Sequence, residues 1–405
     1  MPAYAQLFEP VAIGALTLKN RVVMAPMTTL FDAEGPGRYE AFLAERAAGG
    51  AAMIVIGLQA LSPGRAGRTG LAPAGAPPGS GPMAINDDAW MERLRLIVAV
   101  VHGGGAKACA QLAVNGPWAP GGPGTPVSDI SPSDTFLDPG ICRPDARAIS
   151  FVTGGRPATA DDLRRIPEEL ARAARRAVAA GFDAIQVAAH CGNLISQFLS
   201  PLTNRRTDAW GGTLDHRARL LVDCLDAVCG AAGRAVPVLC RINGDDLMEG
   251  GMGLEEYRRL VPMLEAAGVA AIDVKPGWSE SPLPLHDASV PPGAFAYVSA
   301  ALRQVARVPV SANTRIMDPA LAESILARGD ADYVALGGAL LADPEWPRKA
   351  EAGRVADIHL CTACMECWND LAIRRVPINC PVNPRLGREP GARSSGSAGR
   401  RPPRD

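Results

Sequence analysis

Eight times between residues 21 and 336 a short apolar run gives way to a helical pattern or a long loop, and this alternation restricts the chain more than any other feature. The runs are Arg21–Met27, Met53–Ile56, Gly105–Leu112, Ala184–Ala188, Val236–Ile242, Ala270–Val274, Val308–Ala312 and Tyr333–Leu336. They are mostly apolar and do not alternate at every second residue, the pattern of strands buried on both faces of a parallel sheet. Helical spacing of apolar residues marks Tyr39–Ala48, Asp87–His102, Thr159–Gly181, Leu214–Ala231, Leu254–Ala267, Ala294–Ala306, Pro319–Ala327 and a last helix near Pro344–Ala352. Asp87 is a natural N-cap, and Pro167 is expected to kink its helix. Eight such units predict an α/β fold, a (β/α)8 TIM barrel over residues 1–353. A doubly wound open sheet is the alternative, but no G-x-G-x-x-G follows a strand. The stretches 62–86 and 113–158 are rich in Gly and Pro and read as loops, where binding residues tend to sit.

After the barrel pattern comes Cys361-Thr-Ala-Cys364-Met-Glu-Cys367, and then Cys380-Pro381. Three cysteines at C-x2-C-x2-C spacing suit a tight loop around one metal centre, and the fourth completes a thiolate set. Four thiolates serve either a [4Fe–4S] cluster or structural zinc. Zinc sites of this kind usually come as two separated pairs, so the spacing favours the cluster, on residues 354–387. A cluster passes one electron at a time and needs a two-electron centre or a redox partner beside it. The other six of the ten cysteines are scattered and read as reduced buried thiols of a cytoplasmic protein. Residues 388–405 are polar and basic and are expected to be a disordered tail.

A net charge of −1 over 405 residues gives no reason to expect nucleic acid or an anionic membrane as partner. The N-terminus lacks the basic and apolar regions of a signal peptide, and no apolar run is long enough for a membrane helix.

The motifs Leu18-Lys-Asn-Arg-Val-Val-Met-Ala-Pro-Met-Thr28, Glu45-Arg-Ala-Ala-Gly-Gly50, Gln111-Leu112, Gly181-Phe-Asp183, Asp332-Tyr-Val-Ala-Leu-Gly337 and above all Gln197-Phe-Leu-Ser-Pro-Leu-Thr-Asn-Arg-Arg-Thr-Asp-Ala-Trp-Gly-Gly212 resemble the old yellow enzyme family. The cysteine segment places the resemblance in its iron–sulfur branch, alongside 2,4-dienoyl-CoA reductase and trimethylamine dehydrogenase. The resemblance implies non-covalent FMN at the C-terminal ends of the strands. It puts Ala25, Pro26, Met27, Thr28 and Leu58 along the flavin ring, with Thr28 tuning its potential. Gln111 would read the pyrimidine edge, and Arg241 would stand beside N1 and O2. Asn313, Thr314, Arg315, Gly337 and Gly338 would cradle the phosphate.

Two departures from the family pattern stand out. An arginine is expected where this chain has Gly338, which shifts phosphate binding onto Arg315 and backbone amides. The pattern His-x-x-His or His-x-x-Asn followed by tyrosine falls here on Ala188, Cys191 and Asn193, with His190 one place away. The family's carbonyl-gripping pair and its proton donor are therefore both changed. Cys191, Asn193 and His190 are the catalytic candidates that remain; Trp118, Trp278, His286 and Tyr297 are candidate substrate contacts. The resemblance implies a flavin oxidoreductase exchanging hydride with a small-molecule substrate, by reduction of an activated C=C bond or oxidation of an amine. Relatives in this branch continue into further nucleotide-binding domains. This chain ends after the cysteine segment, so the cluster is expected to relay electrons to or from a separate redox protein or reductase. A flavin-binding accessory subunit of low activity is the other reading of the changed active-site set.

Overall fold

The computed structural model describes residues 4–32, 37–60, 83–114, 130–134, 137, 141–142 and 156–390. A hairpin opens the chain, with β1 Val11–Ile13 antiparallel to β2 Leu16–Leu18. The barrel strands follow as β3 Val22–Met24, β4 Met53–Gln59 and β5 Lys107–Ala113. A short pair, β6 Ile130–Ser131 and β7 Arg156–Pro157, interrupts them. The barrel resumes with β8 Ala184–Ala189, β9 Val238–Ile242, β10 Ala271–Val274, β11 Ser311–Asn313 and β12 Tyr333–Leu336. All eight barrel strands are parallel, in the order β10-β9-β8-β5-β4-β3-β12-β11. A parallel bridge between Ile272 and Val310 joins the two ends, so the sheet closes on itself as the alternation predicts.

Two apolar layers stabilise this closure. Between strands and helices lies the main core, which includes Ile54, Leu94, Val187, Leu221, Leu260 and Val334. Inside the barrel, at the N-terminal end of the strands, Val23, Val55, Cys109, Leu239 and Tyr333 pack against Ile13 and Leu18 of the hairpin. The hairpin thus plugs the bottom, and the strand ends that remain open are the C-terminal ones.

The helices obey local signals. In helix Ala160–Ala180, the Thr159 hydroxyl accepts from the Asp162 amide while the Asp162 carboxylate accepts from the Thr159 amide, a reciprocal cap that satisfies two otherwise orphaned donors. Gly181, at φ 93, ends the helix in the left-handed conformation that a side chain would resist. This helix runs on through Pro167, which does not end it. Asp87 caps the single 3-10 turn Asp88–Trp90 that leads into helix Met91–Gly103. Among the described residues no helix is long and apolar enough to cross a membrane.

The cysteine segment folds back onto the barrel, and the packed chain extends past the boundary expected at 387. The buried Glu389 carboxylate pairs with the fully buried Arg46 guanidinium at 2.9 Å. Arg46 also donates to the Phe42 and Leu340 carbonyls and lies over the Phe42 ring. Gly387, at φ +74, sits so close to Phe31 that an added Cβ would come within 2.7 Å of its ring.

Candidate active site

The open strand ends surround a cavity of about 440 Å3. Ala25, Pro26, Met27 and Thr28 enter it just after β3, Leu58 from β4, Gln111 from β5 and Arg241 from β9. Asn313, Thr314 and Arg315 enter from the end of β11, and Gly337 and Gly338 from the end of β12. All twelve residues expected at the cofactor therefore border one space, although seven strand ends separate the first from the last in sequence.

A buried polar network fixes the floor of the cavity. Asp273, on β10, accepts from Arg241 Nη1 at 2.8 Å and from Gln186 Nε2 at 3.1 Å on one carboxylate oxygen, and from the Ser311 hydroxyl at 2.6 Å on the other. Gln186 in turn accepts from Gln111 Nε2 at 2.7 Å, which fixes the orientation of the Gln111 amide. Arg241 is thus held on a carboxylate that is itself fully bonded, and several of its N–H groups remain for a ligand. Asp273 and Gln186 escape the apolar-run reading because the runs register only as strands. Polar residues inside otherwise apolar runs were the available signal.

Five buried side-chain atoms of the lining lack protein partners: Arg241 Nε, Asn313 Nδ2, Thr314 Oγ1, His190 Nδ1 and Trp368 Nε1. A buried polar atom without a partner is costly, so such atoms mark where a ligand completes the bonding. Thr314 and Arg315 both have positive φ, 71° and 60°, in the loop after β11. Arg315 Nε is tethered to the Val290 carbonyl at 2.8 Å. Together these residues form a donor set suited to an anionic group such as a phosphate.

The turn after β8 differs from expectation. Asn193 is the N-cap of helix Leu194–Leu199, its side-chain oxygen accepting from the Ser196 amide at 3.2 Å. It lines the cavity, but that oxygen is committed to the helix. Cys191 occupies a left-handed conformation (φ 55), its amide donating to Asn243 Oδ1 at 3.0 Å, and its thiol lines the cavity. His190 also faces the cavity, with Nδ1 buried and unpartnered. Burial, reinforced by the Arg241 and Lys275 cations, holds its imidazole well below the ordinary histidine pKa, so the ring is neutral at pH 7. The long family motif proves to be support for this turn. Gln197 Nε2 donates to the Gly192 carbonyl at 2.7 Å, Thr203 to the Gln197 carbonyl at 2.7 Å, and Asn204 to both the Phe198 and Trp210 carbonyls at 2.7 Å.

Of the candidate substrate contacts, His286 lines the cavity. Trp278 does not: it is fully buried beneath Gly192, in a satellite cluster with Leu137 and Met248. Tyr297 is half exposed on helix Ala296–Arg303 and stands outside the lining, and Trp118 falls outside the described residues. Lys275, at the end of β10, lines the cavity and was missed, because the pattern Asp273-Val-Lys275 lies where an apolar run stops.

All four clustered cysteines, Cys361, Cys364, Cys367 and Cys380, border the same cavity on its outer side. Burial raises Cys361 and pushes Cys367 up to about 12, and the other thiols of the group add to both shifts. The four sulfurs are thus near enough to oppose one another's ionisation. Among the described residues no group of three or more His, Cys, Asp and Glu stands ready to hold a metal ion. The Ala363 amide donates to Cys361 Sγ at 3.4 Å. Gly338 faces that sulfur, and a Cβ there would stand 3.0 Å from Cys361 Sγ. Where the family pattern puts an arginine, this chain therefore has a close approach between β12 and the cysteine loop. Of the other six cysteines, Cys109, Cys224 and Cys240 are buried.

A closed parallel barrel with a donor-lined cavity at its C-terminal mouth has the arrangement in which the (β/α)8 class places its binding and catalytic sites. The chain belongs to the NADH:flavin oxidoreductase / NADH oxidase family, whose model matches residues 6–357. It is 37% identical to a metal reductase of Desulforamulus reducens, over 95% of this chain and 54% of the relative. It is 33% identical to an NADH oxidase of Thermoanaerobacter brockii, over 96% of this chain and 57% of the relative. Among solved structures, the complex of 2-naphthoyl-CoA reductase with 2-naphthoyl-CoA superimposes with a TM-score of 0.83 at 28% identity, covering 95% of this chain and 58% of that one. The chain thus spans little more than half the length of these relatives.

Proposed function

We propose that this chain is an FMN- and [4Fe–4S]-dependent oxidoreductase that reduces an activated C=C bond, with the cluster relaying electrons to or from a redox partner outside the chain. The observation that carries this reading is the continuity of one cavity, from the strand-end residues to all four cysteine thiols. The orphaned donors fit FMN: Asn313, Thr314 and Arg315 would hold its phosphate, Gln111 its pyrimidine edge, and Arg241 the pole where negative charge collects on reduction. Bound there, FMN supplies hydride exchange with the substrate and single-electron exchange with a neighbouring centre. Asp273 keeps Arg241 in place and Gln186 keeps the Gln111 amide oriented, so neither must reorganise when a ligand arrives. Neutral His190 offers a hydrogen bond without adding a third cation beside Arg241 and Lys275.

Three cysteines at C-x2-C-x2-C spacing with a fourth at Cys380 suit a multi-iron cluster better than one zinc ion, whose four-cysteine sites usually come as two separated pairs. Cys364 is exposed, so one edge of the cluster would reach the surface where a partner can dock. Free buried thiols elsewhere are in keeping with a reducing cytoplasm. The relatives named a metal reductase and a 2-naphthoyl-CoA reductase support reduction, while a solved neighbour named 6-hydroxypseudooxynicotine amine oxidase is a likeness that supports amine oxidation.

The test is an absorbance spectrum of anaerobically purified protein, with iron, sulfide, zinc and flavin counted on the same sample. About four iron and four sulfide per chain together with FMN is the expected result. Zinc without iron, or failure to take up added FMN, would overturn the proposal.

A further inference from the structure

We propose that Lys275 is the group that recognises the substrate in place of the missing donor pair, and that it binds a carboxylate, making the substrate an unsaturated organic acid rather than an amine.

Lys275 lies at the C-terminal end of β10, its side chain 6% exposed and lining the cavity. Its ammonium donates to the Gly277 carbonyl at 3.2 Å. Among the described residues it forms no ion pair, so two of its three N–H groups are available to a ligand. The carboxylate nearest in sequence, Asp273, is fully engaged: one oxygen takes the Ser311 hydroxyl, the other takes Arg241 and Gln186. Arg241 is thereby neutralised, while the charge of Lys275 is not. His190, across the same end of the cavity, senses both cations and carries no compensating charge.

A buried lysine with an unmet charge is costly unless something anionic joins it. Arg241 and Asp273 cancel as a pair, so at the Lys275 ammonium itself an amine, cationic at neutral pH, would meet repulsion where a carboxylate would meet an opposite charge. The family pattern leaves the β8 turn without its donor pair, and Lys275 stands two strands away on the same side of the mouth, with β9 between them.

This inference concerns the substrate end of the site and rests on the flavin reading only for the reaction that follows binding. Its test is calorimetric titration of the full chain, with and without added FMN, using benzoate, neutral benzamide and cationic benzylamine. Benzoate is expected to bind best and benzylamine worst. Lys275→Met should weaken benzoate roughly 30-fold or more, with Lys275→Arg restoring most of it. Benzoate binding that is unchanged in Lys275→Met, or benzylamine binding tighter than benzoate, would overturn the inference. A loss of FMN affinity in Lys275→Met with no effect on benzoate would also overturn it, by assigning the lysine to the cofactor. If FMN fails to bind but benzoate binds through Lys275, the anion site stands and the flavin proposal falls.

Discussion

Replacing Asp273 by asparagine tests the arrangement on which the cavity floor depends. Asn keeps the size of Asp273 and an oxygen for Ser311 or Gln186, but removes the only charge opposing Arg241 in their ion pair. That pair is 2.8 Å long, and the side chains are 5% and 2% exposed. At an effective dielectric near 20, two unit charges at that separation attract by about 6 kcal/mol. Water no longer solvates the guanidinium well, so little of that loss is recovered, and about 3–5 kcal/mol of folding stability should disappear. The assay is urea unfolding of the FMN-free protein, followed by tryptophan fluorescence and circular dichroism. The double variant Arg241→Met/Asp273→Asn removes the stranded charge as well. It should be more stable than Asp273→Asn alone, a coupling expected only for groups in contact. A loss below about 1 kcal/mol in the single variant, or a double variant no better than the single, would refute the buried pair.

Three further outcomes follow from the same geometry. His190 has its native pKa below its ordinary value, so its contribution to stability is complete above pH 6.5 and declines as the pH falls from there toward the native pKa. Wild type should therefore lose up to about 1.4 kcal/mol per pH unit more than His190→Gln below pH 6.5, read from unfolding curves between pH 7 and 5. Asn193→Ala should cost about 1 kcal/mol through the lost cap while leaving FMN affinity within twofold, measured by flavin fluorescence; a large loss of affinity instead would assign Asn193 to the cofactor rather than to the cap. Gly338→Ala, whose new Cβ would press within 3.0 Å of Cys361 Sγ, should reduce the iron retained per chain by roughly half or more on purification, and unchanged iron would show that the cysteine loop yields freely.

Eight apolar runs at regular spacing were sufficient for the closed barrel, because a parallel strand buried on both faces has few other places to go. The same logic located the cysteine set and, through the family motifs, the twelve residues that border the mouth. Those features are local: a run length, a spacing, a short string. What tertiary structure alone decided were relations between distant strands. Asp273, Gln186 and Ser311 stand out in sequence only as polar residues in three separate apolar runs, until closure brings the Gln186 and Ser311 side chains to the Asp273 carboxylate. Asn193 reads as a catalytic candidate until the turn after β8 gives its oxygen to a helix cap. Trp278 reads as a mouth residue until Gly192 is seen packed over its ring. Gly338 reads as a missing phosphate ligand until the cysteine loop is seen to approach it. Lys275 carries no local mark at all, since its unmet charge exists only where Arg241 and Asp273 have already cancelled each other across a strand boundary. Sequence specifies which groups the chain carries, but whether a charge is free or paired depends on through-space distance and burial, and those are fixed only when the barrel closes.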